Sequence, residues 1–249
     1  MNSQLWSQIE VVDRTGSTNA DLLARARAGE PEGLVLAADE QTAGRGRMGR
    51  GWHAPPGSAL MFSVLLRPGL PVARWSWLPL LTGLAVVTAL RDVTAVQAGL
   101  KWPNDVVFNG RKLAGILAES AGDAVVIGTG LNVSTRAEQL PPPGPGSLQA
   151  TSLLLSGARV PDRTDLLTAI LAALEQRYLP WRTAGGDPEP IRAEYLTLCD
   201  TLGRQVRVEL PAGQVLSGEA AGVDSDGRLI VRSADSDVAV SAGDVVHVR

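Results

Sequence analysis

The spacing of apolar positions changes once along this chain, near Cys199. Before that point, short apolar runs alternate with segments of helical period. Residues 6–12 predict a first strand. Ser17-Thr18-Asn19-Ala20-Asp21 predicts the opening of a helix that runs to about residue 28, with Thr18 and Asp21 as a capping box and Gly29 as the stop. Residues 34–38 and 59–66 read as buried strands. Residues 74–91 are apolar on nearly all sides and predict a central helix. Residues 106–108 and 113–119 flank Asn109-Gly110, a strong hairpin signal, and residues 124–133 follow as a further strand. Two amphipathic helices are expected over 163–179 and 189–198.

Beyond Cys199, residues 205–210, 215–223, 228–231, 238–241 and 245–248 predict five short strands, with Asp224-Ser225-Asp226-Gly227 the clearest turn between them. Antiparallel neighbours of this kind argue for an α+β chain, not a doubly wound parallel sheet. The expected organisation is a first domain over residues 1–200 and a small barrel of SH3-like type over 201–249.

Composition narrows the function. The 249 residues are 45% hydrophobic and carry a net charge of −3, so general attraction to nucleic acid or anionic membrane is not expected. Residues 75–90 are too short and too interrupted to read as a membrane span. The single cysteine forbids an internal disulfide and suits the reducing cytoplasm. The start, Met1-Asn2-Ser3-Gln4-Leu5-Trp6, has no basic or apolar region of the signal-peptide kind. Of 23 basic residues only two are lysine, Lys101 and Lys112, within a dozen positions of each other. A chain that otherwise uses arginine implies that the compact ammonium is needed there.

Gly44-Arg45-Gly46-Arg47-Met48-Gly49-Arg50-Gly51-Trp52 matches G-x-G-x-x-G by letter only. A dinucleotide site needs a helix directly after the glycines and an acid about twenty residues on. Here Trp52-His53-Ala54-Pro55-Pro56-Gly57 follows, and no Asp or Glu occurs between Gln41 and Arg91. A P-loop is excluded because no Gly-Lys-Ser/Thr ends the run. The loop offers backbone that can approach a ligand closely, three guanidinium forks for carboxylate or phosphate, and an aromatic face. Taken alone it fits an anion clamp, a solvated basic loop and a weak RNA-binding segment about equally.

Lys101-Trp102-Pro103-Asn104-Asp105 and Lys112-Leu113-Ala114-Gly115-Ile116-Leu117 form the second constellation. Lys112, at a strand start, can hold a substrate carboxylate and stabilise the charge that develops as it attacks a phosphate. Asp105 can hold Mg²⁺, directly or through water.

Together these residues resemble the biotin–protein ligases. The glycine–arginine loop, Lys-Trp-Pro-Asn-Asp at 101–105, Lys-Leu-Ala-Gly-Ile-Leu at 112–117, Ser17-Thr18-Asn19, Gln41, Gly128-Thr129-Gly130-Leu131-Asn132-Val133 and Ala150-Thr151-Ser152-Leu153 occur in the family's order. The resemblance covers nearly the whole chain. It implies a mixed, largely antiparallel sheet packed with helices, of class II aminoacyl-tRNA synthetase-like type, followed by the SH3-like barrel.

It also implies activation of biotin by MgATP to biotinyl-5′-adenylate and transfer to a lysine on the carrier domain of an acyl-CoA or pyruvate carboxylase. Lys112 and Arg47 are then the catalytic residues. Ser17, Thr18, Asn19, Gln41, Arg45, Gly46, Arg47, Lys112 and Gly115 are expected to bind biotin. Arg50, Trp52, Lys101, Asn104 and Asn132 are expected to bind the nucleotide, and Asp105 the Mg²⁺. Some members carry an N-terminal helix-turn-helix; only about a dozen residues precede the first helix here, so no DNA-binding role is expected. A lipoate–protein ligase is the nearest alternative, and an RNA-binding module a distant one. Pro141-Pro142-Pro143-Gly144-Pro145-Gly146 has no role in this reading, and a monomer and a homodimer remain equally open.

Overall fold

The computed structural model describes residues 3–144, 146–210, 214–233, 236–241 and 243–248. Met1, Asn2 and Pro145, which figured in the sequence reading, lie outside the described residues.

Strand β1 (Gln8–Thr15) is followed by helix α1 (Thr18–Arg27), β2 (Leu34–Gln41), β3 (Ala59–Leu66) and helix α2 (Trp77–Thr94). Four strands come next: β4 (Gly99–Lys101), β5 (Asp105–Phe108), β6 (Arg111–Ala121) and β7 (Ala124–Asn132). Helices α3 (Arg163–Thr183) and α4 (Glu189–Leu198) lead into β8 (Gln205–Glu209), β9 (Val215–Val223), β10 (Leu229–Arg232), β11 (Asp237–Val240) and β12 (Asp244–His247).

The first seven strands form one sheet in the order β1-β2-β3-β7-β6-β5-β4. Only β1 and β2 run parallel; every other pairing in that sheet is antiparallel. The last five form an antiparallel sheet in the order β11-β10-β9-β8-β12, consistent with an SH3-like unit. The α+β expectation holds. The β5–β6 turn places Asn109 and Gly110 at φ 48° and 71°, the left-handed pair that an Asn-Gly hairpin demands.

Helix α2 is apolar because it is interior: Trp77, Leu78, Leu81 and Leu84 are all fully buried, and it packs on α3 and the sheet. The two sheets share one continuous apolar core. Trp77 Nε1 donates to the Ser225 carbonyl at 2.8 Å and Trp102 Nε1 to the Gly227 carbonyl at 3.0 Å. Two buried indoles thus mount the Asp224–Gly227 turn on the larger unit.

Several sequence expectations need correction. The first strand is Gln8–Thr15, not 6–12, because Trp6 is buried and its indole donates to the Leu171 carbonyl at 2.8 Å. Ser17, not Thr18, caps α1: its hydroxyl accepts from Ala20 N–H, while Asp21 turns back to Thr15. Helix α2 begins at Trp77, three residues later than expected, because a 3₁₀ turn covers Val72–Arg74. Helix α3 continues past the expected Leu179 to Thr183, with Pro180 inside its last turn. The short β4 was not anticipated; three residues carry too little periodicity to be seen.

Candidate active site

The C-terminal end of β2, the start of α1, the β4–β5 turn, and the facing strands β6 and β7 converge on one cavity of about 490 Å³. The loop at 44–52 covers it. All fifteen residues singled out from the sequence line it: Ser17, Thr18, Asn19, Gln41, Arg45, Gly46, Arg47, Arg50, Trp52, Lys101, Asn104, Asp105, Lys112, Gly115 and Asn132.

The covering loop is a small folded hairpin. Arg45 and Gly51 form an antiparallel bridge, Gly46 N–H donates to the Arg50 carbonyl at 2.7 Å, and Trp52 N–H donates to the Gly44 carbonyl at 2.9 Å. Met48 sits at its exposed tip with φ 56°. The hairpin delivers Trp52 onto a platform made by Gly115 of β6 and Gly130 of β7, which are register partners. A Cβ at Gly130 would lie 2.4 Å from Trp52 Cε2, so glycine there is a condition of the indole's approach. Trp52 therefore lies beside Lys112, whose Cε and Nζ flank the same Gly115. The Trp52 Nε1–H is buried without a partner among the described residues.

Two arginines tie the hairpin to distant elements. Arg47 donates to Asn104 Oδ1 at 3.0 Å and to the Gly243 carbonyl at 3.4 Å. Arg50 pairs with Asp244 of β12. Asn104 is itself held, its amide donating to the Ile116 carbonyl at 3.0 Å. Asn132 donates to the Thr151 carbonyl at 2.9 Å.

Both lysines line the cavity beside Asp105. Lys112 Nζ lies 2.7 Å from Asp105 Oδ1, and Asp105 is the register partner of Lys101. Lys101 is only 6% exposed. Burial first, and then repulsion from Lys112, Arg47 and Arg50, pushes its pKa below that of an ordinary lysine, against the pull of Asp105. Burial also lowers the pKa of Arg47. Five cations and two carboxylates, Asp105 and Asp244, line the cavity, so it is locally positive in a chain of net charge −3. Such a site suits an anionic ligand, a carboxylate or a phosphate.

Among the described residues no three His, Cys, Asp or Glu side chains gather as a metal cage. A single carboxylate such as Asp105 suits Mg²⁺ that arrives on a triphosphate, which keeps most of its shell from phosphate and water.

Sequence reasoning missed four contributors. Asp244 and Gly243 come from the far end of the chain. Ser63 and Glu119 lie behind the cavity wall and contact its residues. Only local composition hinted at them: a serine among the buried apolar residues of β3, and an acid following the lysine motif in β6. The proline-rich segment lines the cavity through Pro141, Pro142, Pro143, Gly144 and Gly146, near the point where Lys112 N–H donates to the Gln149 carbonyl at 2.8 Å.

Comparison with known proteins agrees with this arrangement. Residues 11–132 match the Biotin/lipoate A/B protein ligase family, and residues 201–248 match the Biotin protein ligase C terminal domain. The chain is 48% identical to a biotin–[acetyl-CoA-carboxylase] ligase of Mycobacterium tuberculosis, over 98% of this chain and 90% of that protein. It is 34% identical to a bifunctional ligase/repressor of Bacillus subtilis, over 95% of this chain and 72% of that protein. The structure of the Aquifex aeolicus biotin protein ligase in complex with biotin and ATP superposes with a TM-score of 0.78 at 27% identity, covering 99% of both chains. With two matched family models, near-complete coverage at 48% identity and the same fold end to end, the chain belongs to the biotin–protein ligase family.

Proposed function

We propose that this chain activates biotin with MgATP and transfers it to one lysine of a biotin carboxyl carrier domain. The observation that carries the reading is the pairing of Lys112 with Asp105 inside a cation-lined cavity, beneath a hairpin able to exclude water. In the first step a biotin carboxylate oxygen attacks the α-phosphorus of ATP, the bond to pyrophosphate breaks, and biotinyl-5′-adenylate forms. In the second step the carrier's lysine amine attacks the anhydride carbonyl, AMP leaves, and one proton of the amine goes to solvent. Catalysis here is positioning and electrostatic stabilisation, which needs no nucleophilic side chain.

Ser17, Thr18, Asn19 and Gln41 hold the ring of biotin at the α1 end, and Gly115 admits its tail. Arg45, Gly46 and Arg47 cover the adenylate. Lys112 stands at the reacting carboxylate, joined by Arg47 as charge builds on the phosphate. Arg50, Trp52, Lys101, Asn104 and Asn132 serve the nucleotide, and Asp105 offers an oxygen to the Mg²⁺ that ATP brings. Residues 201–249 act as a small second domain that holds the hairpin. The acceptor is the carrier of acetyl-CoA carboxylase or of another biotin-dependent carboxylase, such as pyruvate carboxylase, met in the cytoplasm.

The test incubates the protein with ATP, Mg²⁺, a carrier domain and either biotin or lipoate, and weighs the carrier by mass spectrometry. A biotin-sized adduct on one lysine is expected, and Lys112→Ala abolishes it. A lipoyl adduct, or no adduct, overturns the proposal.

A further inference from the structure

Behind the cavity wall runs a chain of hydrogen bonds that ends on a carboxylate. Asn19 Nδ2 donates to Glu119 Oε2 at 2.9 Å and to the Leu117 carbonyl at 3.2 Å. Ser63 Oγ lies 2.6 Å from Asn19 Oδ1, and Thr18 Oγ1 lies 2.7 Å from Ser63 Oγ. Ser63 is fully buried, and neither Ser63 nor Glu119 lines the cavity.

The direction of every proton in this chain follows from donor and acceptor counting. Glu119 and the Leu117 carbonyl can only accept, so the Asn19 nitrogen must face them. The Asn19 oxygen then faces Ser63 and can only accept, so the single Ser63 proton lies on that bond. Ser63 Oγ is left to accept, so the Thr18 hydroxyl must donate to it. Thr18 Oγ1 also lies 3.2 Å from Gln41 Oε1, but the Thr18 proton is already committed. Gln41 Oε1 is satisfied by Thr18 N–H at 2.8 Å, which leaves the Gln41 amide nitrogen as a donor. The cavity therefore meets Thr18 as an acceptor and the amide nitrogen of Gln41 as a donor.

We propose that Ser63 and Glu119 are positioning residues that set this polarity, and that the one-way relay selects a ring presenting an N–H beside a carbonyl. The inference rests on the ligase reading and deepens it. Biotin and lipoate share a pentanoate tail and differ in the ring: a urea supplies N–H and C=O, a dithiolane neither. Without the relay the Thr18 proton is no longer held on Ser63 and turns between Gln41 Oε1 and the cavity, where it opposes the urea N–H. A buried donor or acceptor left unmatched outweighs the small gain of a matched one, so discrimination is where the relay acts.

The test measures biotin and lipoate binding by calorimetry, with steady-state KM and kcat, for the wild type, Ser63→Ala, Glu119→Gln and Glu119→Leu. Ser63→Ala is expected to weaken biotin about tenfold, the factor of one neutral hydrogen bond, with lipoate affinity and kcat held within about twofold. Glu119→Gln keeps an acceptor oxygen for Asn19 and retains the preference; Glu119→Leu loses it even with its melting temperature near that of the wild type. Equal weakening of both ligands by Ser63→Ala, an unchanged biotin affinity, or equal damage from Gln and Leu at 119 overturns the relay while leaving the ligase reading standing. A wild type that prefers lipoate overturns both.

Discussion

Gly130→Ala is the sharpest probe of how the covering hairpin works. The added methyl would lie 2.4 Å from Trp52 Cε2 and 2.7 Å from Nε1. Carbon atoms in contact sit about 3.5–4.0 Å apart, so the indole must retreat by roughly 1 Å. The backbone offers no relief, since Gly130 pairs with Gly115 and Met61 in the middle of the sheet. A displacement of that size in a side chain that positions a reactant costs on the order of 10²-fold in rate. The fold itself should tolerate the change, because Gly130 has no positive φ and alanine suits a strand better than glycine.

Gly115→Ala provides the internal scale. Its methyl would meet Lys112 Cε at 3.2 Å and Trp52 Cζ3 at 3.3 Å, contacts that a few tenths of an ångström relieve. Its cost should be about tenfold or less. Biotin-dependent pyrophosphate exchange, with thermal melting as a control, measures both. The steric reasoning is refuted if Gly130→Ala keeps kcat/KM within about threefold of wild type, or if Gly115→Ala is the more damaging change.

Two further outcomes are expected. Asp244→Ala releases Arg50, and since Arg50 is 49% exposed the pair contributes only about 0–1 kcal/mol to stability. Its melting point should barely move, while trypsin cuts the hairpin at Arg45, Arg47 or Arg50 several-fold faster; an unchanged cleavage rate would show that β12 does not hold the loop. His247 has its pKa lowered to about 4 by burial, and then by Lys101 and Arg204. Between pH 6.5 and 4 the unfolded chain gains a proton there that the folded chain refuses, so stability falls as pH drops through that window. With solvent screening the loss is about 1–2 kcal/mol, and His247→Gln should flatten that part of a melting-temperature profile against pH.

The sequence by itself picked out residues that all line one cavity, and most of the elements that carry them. Period and turn residues are local properties. The Asn109-Gly110 hairpin, the strand Ala59–Leu66 and the helix Glu189–Leu198 stand where the pattern placed them. The two lysines singled out of an arginine-rich chain both line that cavity.

Tertiary structure decided the rest, because those features depend on residues that meet only after folding. The capping of α1 fell to Ser17, which keeps an extended backbone, while the hydroxyl of Thr18 bonds Ser63, 45 positions away. Asp244 reaches Arg50 across 194 positions, and no local pattern records such a pairing. The choice between anion clamp and solvated basic loop was likewise not local. It turned on Gly130 opening room for Trp52 and on β12 pairing with Arg50, which fold the loop over the cavity while Arg45 and Arg50 stay half-exposed at its rim.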